Sequence, residues 1–468
     1  MTATDQDGDY DGVRDRPRLF WDCSMTAPST SQAGIQRVVR NVTASAATLA
    51  SVAGFDSRLV LFRDGHWRDV PTALHRARTC TSPNASNQER RGASRVGFWA
   101  RRFGQRLYKI AYPRTLMRSV RRVTQNALGT GEPIPDFRED DILMLLDGSW
   151  LMPEIPRFEA ARRAGTRIGL VVYDLLPISH PQFMLPKAQR QFTRWMRRVV
   201  PQTDFFVAIS QVVRDEFRNW ARGEFPGLRL ADEQVSWFPL GVKLDLASPT
   251  GDVRPEVRAA LDDANSTYLK VSTLDPRKNH MAVLDAFDLV WRQCPTARLC
   301  FVGRQGWLCS DLVRRISCHP RLGRQLFWFQ GLTDAELAYC FGHVSGVISA
   351  SLAEGYGLPI AESLQYGLPT FVSDIPVHRE VGGDFCAWFD PCQPDSLAQL
   401  LIAHVRSGEF PARRRAAEYV PTTWDEATKV LIQECCRLTA RSRRRQVGSV
   451  PGASQPKRGE VFVSSVLQ

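Results

Sequence analysis

From residue 17 onward, short apolar runs alternate with longer amphipathic ones. Residues 18–22 predict a first strand and residues 35–42 the opening of a helix, with a loop rich in Ser, Thr, Gly and Pro between them. Two β-rich runs, 58–62 and 66–70, flank Asp64-Gly65 and predict a hairpin. Apolar runs at 142–146, 167–173 and 205–209 predict buried strands, the last followed by a helix from Gln211. After Leu240-Gly241-Val242 comes a polar, acidic, Pro-containing stretch that suits a linker. A second series then begins, with strands predicted at 268–272, 299–302, 326–329, 346–349 and 370–373. Short apolar runs alternating with helices predict parallel sheets covered on both faces. Two such series predict two doubly wound α/β domains, with ligands at the carboxyl ends of their strands. Residues 423–438 predict a final amphipathic helix.

The resulting division is a disordered leader (1–16), an N-terminal Rossmann-like domain (17–243) carrying an irregular insert (78–130), a linker (244–263), a C-terminal domain (264–422), a helix (423–438) and a disordered basic tail (439–468). A length of 468 residues agrees with two or three domains. The start is polar and acidic, which predicts no secretory leader. No apolar run reaches the ~18 residues of a membrane span. Eleven scattered cysteines without a CxxC pair argue against a disulfide scaffold or zinc ribbon and point to a reducing cytosol.

Charge adds something because it is uneven. Lys and Arg outnumber Asp and Glu by 61 to 49. Residues 90–122 hold eleven basic and no acidic side chains, and the tail from Arg437 holds seven basic and one acidic, so the remainder is slightly acidic. Within the insert, Trp99, Phe103, Leu107 and Ile110 share one helical face, and Arg102, Arg106 and Lys109 flank it. That is the pattern of a helix docked on an anionic membrane surface. The plainer alternative is an Arg-rich helix packed on its own domain, with Gly104 weakening it. No nucleic-acid module is recognisable, so nucleic acid is not an expected partner.

The densest chemistry lies at residues 351–363, Ser-Leu-Ala-Glu-Gly-Tyr-Gly-Leu-Pro-Ile-Ala-Glu-Ser. A strand ends near Ala350, Gly355 and Gly357 permit a tight turn, and Pro359 suits the first turn of a helix. A helix start after such a turn offers free N–H groups and the positive end of a dipole, which favours phosphate. Glu354 lies in the turn and Glu362 about one turn inside the helix, so both can face one cleft. A dinucleotide fingerprint would need a third glycine where Ile360 stands, so that reading fails. An ordinary glycine turn with solvated glutamates is the plain alternative. Asp275-Pro-Arg277-Lys278-Asn-His280 follows the strand at 268–272 and sets two adjacent cations on a strand-end loop. On its own this also reads as a solvated loop. At the same sheet edge as residues 351–363, it describes a diphosphate site. The eight histidines do not cluster, and neither HxxxH nor a strand-end DxD occurs, so no metal site is predicted. Cys294, Cys300 and Cys309 read as packed thiols.

These segments resemble the retaining glycosyltransferases of family four, which have the two-domain GT-B fold. Glu354 and Glu362 match the family's E-x7-E motif, and Thr273-Leu-Asp-Pro-Arg-Lys-Asn279 looks like its donor-phosphate loop. Phe301-Val-Gly-Arg-Gln-Gly-Trp307 and Phe329-Gln-Gly-Leu-Thr-Asp-Ala-Glu-Leu337 resemble two segments near the nucleotide base. The N-terminal half is similar to a subgroup that builds bacterial surface polysaccharides, through Gly34-Ile-Gln-Arg-Val-Val39, Val172-Tyr-Asp-Leu-Leu-Pro177, Ile209-Ser-Gln211 and Leu240-Gly-Val242. The resemblance spans residues 18–430.

The resemblance implies roles. Glu354 lies by the donor sugar and Glu362 binds the ribose, since a carboxylate accepts paired hydroxyl hydrogen bonds. Lys278 binds phosphate. Many members carry an Arg five positions before that lysine, where this chain has Thr273, and Arg277 is expected to supply the second cation. Gly355 and Gly357 shape the turn, Leu358 and Ile360 offer backbone N–H groups to the diphosphate, and Gly34 faces it from the other domain. Gly303, Leu332 and Thr333 lie by the nucleotide. Asp174, Tyr173 and His180 line the acceptor side. A retaining reaction of this kind has no evident need of a protein nucleophile, so leaving-group stabilisation by Arg277, Lys278 and the helix start carries the rate.

The expected protein is a cytoplasmic glycosyltransferase, peripheral at the inner face of the cytoplasmic membrane and without a metal or other cofactor. It moves a hexose from a nucleotide sugar to a saccharide or lipid-linked acceptor. The alternatives are another GT-B sugar-nucleotide enzyme, such as an epimerase or phosphorylase, and a catalytically silent scaffold in a polysaccharide assembly complex.

Overall fold

A computed structural model describes residues 16–29, 34–70, 134, 136–228, 230–242, 252–261 and 266–448, with residues 441–448 as backbone only. The predicted leader up to residue 15, the whole insert including Trp99, Arg102, Phe103 and Arg106, parts of the linker and the tail beyond 448 lie outside the described residues.

Two sheets organise the rest. The first has the order β3-β2-β1-β4-β5-β6-β7. Its strands are β1 (Arg18–Asp22), β2 (Asp56–Arg63), β3 (His66–Val70), β4 (Ile142–Leu145), β5 (Arg167–Val172), β6 (Phe205–Ala208) and β7 (Val235–Trp237). All pairings are parallel except the β2–β3 hairpin. The second sheet is wholly parallel, in the order β10-β9-β8-β11-β12-β13. It comprises β8 (Thr267–Val271), β9 (Arg298–Val302), β10 (Leu326–Phe329), β11 (Gly346–Ser349), β12 (Thr370–Ser373) and β13 (Ala387–Phe389). Strands β4, β6, β11 and β12 are buried at every residue, so β4 and β6 read as unbroken apolar runs and β11 and β12 as apolar pairs flanked by small residues, rather than as alternating strands. β7 and β13 are three residues each, too short to stand out as such runs.

Each sheet reverses its winding at its centre, between β1 and β4 in one and between β8 and β11 in the other. Such switch points open a crevice at the strands' carboxyl ends. The two domains meet along that side.

The chain crosses between domains twice, side by side. The Val242 amide donates to the Thr422 carbonyl at 2.8 Å, and a Cβ on Gly241 would collide with the Trp424 backbone. The final helix, Trp424–Gly448, therefore returns to the first domain. Its Trp424, Ala427, Leu431, Ile432, Cys435 and Leu438 complete the core over Val38, Val42 and Ala46 of the Ile35–Val52 helix. The helix runs ten residues past the predicted end at 438, into the predicted tail.

The predicted linker also holds a helix, Pro255–Leu261. Its Val257, Ala260 and Leu261, spaced three and one apart, pack with Phe341 and Val347 of the second domain. Three apolar positions were enough to anchor a stretch whose overall composition is polar. No described helix is long and apolar enough to cross a membrane.

Candidate active site

The loops after β8 and β11, at the second sheet's switch point, bring the predicted donor residues together. Pro276–Lys278 forms one 3-10 turn, capped by Asp275, whose carboxylate accepts from the Lys278 amide at 3.2 Å. That turn presents Arg277 and Lys278 to the glycine turn after β11. Arg277 Nη1 donates to Glu354 Oε2 at 2.5 Å and to the Ala353 carbonyl at 3.0 Å. Lys278 Nζ donates to Glu354 Oε1, and Ser351 Oγ donates to the same oxygen at 2.7 Å. The Arg277 side chain is 13% exposed, and its Nε–H is buried without a partner among the described residues.

Burial would push the Glu354 carboxyl up, but Arg277 and Lys278 overcome it and hold the group well below the usual carboxylate range. Burial lowers the Lys278 ammonium, against the pull of Glu354. Behind this cluster lies Lys270, inside β8. It is buried, and burial together with Lys278 pushes it down to about 7.

The glycine turn fixes the geometry. Gly357, at φ +105°, is the left-handed residue before the Leu358–Gln365 helix, and Pro359 occupies that helix's first turn. The Ile360 amide donates to the Gly357 carbonyl at 2.9 Å, so it is engaged within the turn rather than free for a ligand as expected. Beneath the turn His378 is fully buried. Its Nδ1 lies 3.1 Å from the Ser373 carbonyl and 3.0 Å from Ser373 Oγ, which itself donates to the Ser351 carbonyl at 2.7 Å. A carbonyl only accepts, so Nδ1 carries the proton and Nε2 keeps a lone pair. Nε2 is buried without a partner among the described residues, and burial holds this imidazole down at about 4 despite the opposing influence of Glu354.

The first domain closes over the turn. Ser210 Oγ donates to the Gly355 carbonyl at 3.0 Å. Glu380 accepts from the Gln211 and Val212 amides at 2.7 and 3.0 Å, capping the Gln211–Glu224 helix from across the cleft. The Tyr356 hydroxyl donates to the Leu240 carbonyl at 3.1 Å, and Trp307 Nε1 donates to the Phe183 carbonyl at 2.8 Å. Arg37 pairs with Glu362. Gly355 lies so near Tyr173 and Asp174 that a Cβ there would overlap the Tyr173 carbonyl oxygen. Asp174 is half-buried beside this contact. Burial raises its carboxyl, and Arg277 opposes that most strongly.

Other expected positions fall as follows. Gly34 begins the Ile35–Val52 helix with open space around it. Gly303 ends β9 against the Ser272 carbonyl. Leu332 is half-buried among the second domain's core residues. Thr333 is a helix cap: its hydroxyl accepts from the Glu336 amide at 3.1 Å, and its own amide donates to Glu336 Oε2 at 2.8 Å. Its groups are thus taken up by the capping box. Tyr173 does not line an acceptor site. Its ring sits in the first domain's core, with the hydroxyl donating to the Leu146 carbonyl at 2.6 Å, and only its backbone meets the cleft. This follows from strand alternation, which turns residue 173 inward when Val172 packs on the opposite face. His180 is half-buried near the cleft mouth, Nδ1 2.9 Å from Ser179 Oγ, its ring stacked on Phe183. Among the described residues, no group of three His, Cys, Asp or Glu side chains is placed to hold a metal. Cys294, Cys300 and Cys309 are buried thiols.

Several residues of the site were not singled out in the sequence: Arg37, Ser210, Lys270, Ser351, His378 and Glu380. Two had a signal. Arg37 belongs to the Gly34-Ile-Gln-Arg segment, and Lys270 is a charge inside an apolar strand. His378 and Glu380 act only through the packing of the Pro376–Gly382 helix, which no local pattern reveals.

Comparison with known proteins agrees with this arrangement. Residues 256–422 match the family described as Glycosyl transferases group 1. The serotype-specific mannosyltransferase WbdA of Escherichia coli is 30% identical over 310 residues, 65% of this chain and 38% of that protein. The O-antigen chain mannosyltransferase B of Escherichia coli is 26% identical over 171 residues, 35% of this chain and 44% of that protein. The chain thus spans less than half the length of these relatives. In fold it is similar to Anabaena Alr3699/HepE, solved in complex with UDP and glucose, with a TM-score of 0.51 and 14% identity over 93% of this chain and 100% of that one. It is likewise similar to sucrose-phosphate synthase from Thermosynechococcus elongatus, with a TM-score of 0.52 and 16% identity over the same shares. Two Rossmann-like sheets facing one cleft give the chain the GT-B fold, and the segment that forms the second sheet matches the Glycosyl transferases group 1 domain.

Proposed function

We propose that the chain transfers a hexose, mannose foremost, from a nucleoside-diphosphate sugar to a saccharide or lipid-linked saccharide, retaining the anomeric configuration, in the assembly of a surface polysaccharide such as an O-antigen. The observation that carries this reading is the convergence of Arg277 and Lys278 on Glu354 beside the Leu358 helix start. Two largely buried cations with a spare guanidinium N–H suit a diphosphate far better than a solvated loop would. The mannosyl specificity rests on the names of the Escherichia coli relatives.

In this reading the cations turn from Glu354 to the leaving diphosphate, whose charge grows as the sugar bond breaks, and they act most strongly in a water-poor cleft. Glu354, freed from them, faces the sugar. Glu362 takes the ribose. Asp174, its carboxyl raised by burial, accepts the proton of the attacking hydroxyl, since a raised acid is the better base. Arg277, Lys278 and the helix start do the work a metal would otherwise do. The acceptor arrives from the inner face of the cytoplasmic membrane.

Thermal shift with GDP, UDP, GDP-mannose and UDP-glucose, followed by turnover assays with and without EDTA and NMR of the product anomer, tests the whole proposal. One diphosphate series should stabilise the protein, turnover should survive EDTA, and the product should keep the donor's anomeric configuration. Failure of every nucleotide to bind would overturn it.

A further inference from the structure

The stretch from residue 175 to 203 holds five basic side chains, Lys187, Arg190, Arg194, Arg197 and Arg198, and no acidic one. All five lie on the helix Pro186–Val199. Its opposite side is buried through Phe192, Trp195, Met196 and Val199, which pack under the first sheet. At 100° per residue, Lys187, Arg190, Arg194 and Arg198 fall within about 80° of the helix circumference. All four are exposed, and among the described residues none has an acidic partner. Arg197, at one edge of the arc, pairs with Glu224 at 2.6 Å.

The other edge of the arc is apolar. Gln191 Nε2 donates to the Trp150 carbonyl at 2.7 Å, and the Trp150 ring stands edge-on to Phe192 and Trp195. These contacts hold the Ser149–Leu151 turn against the helix on the side of Lys187 and Arg198. Leu151 there is 50% exposed, and Leu185, just before the helix, is 44% exposed. The same loop reaches the cleft mouth, where the Phe183 carbonyl accepts from Trp307.

Four unpaired cations beside two projecting leucines are an odd choice for a free surface. Cations alone would suit any polyanion, but the leucines would gain nothing from one. A bilayer with anionic headgroups satisfies both, the charges at the headgroups and the leucines just below them.

We propose that this face, Lys187, Arg190, Arg194 and Arg198 with Leu151 and Leu185, docks the protein on an anionic phospholipid surface and so sets the cleft mouth toward the membrane. The proposal deepens the lipid-linked acceptor reading given above. It assigns the docking to the first domain's own helix rather than to the basic insert.

The test is flotation of the full chain with phosphatidylglycerol–phosphatidylcholine vesicles and with phosphatidylcholine alone. The wild type should bind the first and not the second. Lys187→Gln, Arg190→Gln, Arg194→Gln and Arg198→Gln together should lower binding by at least ~100-fold at low salt. The same exchange at Arg101, Arg102, Arg106 and Lys109 should leave most of it. Leu151→Ser with Leu185→Ser should keep low-salt binding but lose the part that survives high salt. Nucleotide-induced thermal shift serves as the folding control, because none of these residues is at the donor site. Wild-type-like flotation of the fourfold helix variant, loss of binding in the insert variant alone, or binding to heparin with none to vesicles would each overturn the proposal. Failure of the wild type to bind any nucleotide would instead strike the transferase reading and leave the vesicle result standing.

Discussion

Arg37, on the first domain's opening helix, holds Glu362, on the second domain's glycine-turn helix, in an ion pair across the cleft. The carboxylate assigned to the ribose is therefore also a tie between the domains. Its side chain is 4% exposed and that of Arg37 is 22%. Removing the arginine strands a nearly buried charge, which disfavours the closed arrangement by about 1–3 kcal/mol. Arg37→Ala should open the cleft, read as a larger radius of gyration in X-ray scattering. Adding Glu362→Gln should reverse most of it. An unchanged radius in the single variant would show that the pair does not hold the domains.

Gly355 makes a second such contact, with no room for a side chain against the Tyr173 carbonyl. Its partner belongs to the other domain, so neither core depends on it. Gly355→Ala should lower turnover by roughly 100-fold, the penalty of ångström-scale misplacement, with the melting temperature little changed. A variant that melts much earlier would mean the turn itself, not closure, was damaged.

The two-domain architecture was legible because buried parallel strands lack the alternation of half-exposed ones, most plainly in the unbroken apolar runs of β4 and β6. Arg277, Lys278, Glu354 and Glu362 were legible because charges at strand ends and helix starts leave a spacing signal. Tyr173 was misplaced because both faces of β5 are apolar, so nothing local decides which face the residue just after it continues. Thr333 was assigned to the nucleotide although the Thr-x-x-Glu spacing to Glu336 already spelled a capping box. The linker helix and the long final helix depend on surfaces supplied by distant parts of the chain, as do the contacts of Ser210, His378 and Glu380.

The cation pair should respond to pH once Glu354 is neutralised. Burial and the charge of Arg277 lower Lys278, and Glu354, ahead of Asp275, is the main group that raises it. In Glu354→Gln that support is gone, so the ammonium loses its proton at a lower pH than in the wild type. Only the protonated form attracts a diphosphate. Nucleoside-diphosphate affinity of the variant should therefore begin to fall at a lower pH than that of the wild type, by up to tenfold per pH unit once its ammonium titrates. The wild type should change less. Calorimetric titration at three pH values checks this, and parallel profiles for the two proteins would contradict it.

Asp22 ends β1 and Asp147 lies two residues past the end of β4, at the first sheet's switch point, and both are buried. Asp147 accepts from the amides of Met25, Thr26 and Gly148 at 2.8, 2.6 and 2.7 Å, which suits a charged carboxylate. Asp22 accepts from the Ser24 amide at 3.0 Å and from Ser149 Oγ at 2.9 Å. Burial, then the charge of Asp147, pushes Asp22 up to about 7. Between its ordinary value of 3.8 and about 7, the folded chain thus keeps a proton that the unfolded chain releases. The contribution of Asp22 to stability therefore falls as pH rises through that window and stays level above it. Asp22→Asn removes the titration. Any fixed cost of the amide is the same at every pH, so it cancels on comparing two pH values. Relative to wild type, the variant should be more favourable at pH 8 than at pH 5 by about 2–3 kcal/mol, from the two pH units of the window that lie above pH 5. Denaturant unfolding of both proteins at the two pH values measures it. Equal differences at pH 5 and pH 8 would mean that Asp22 is already charged at pH 5 and that the proton lies elsewhere.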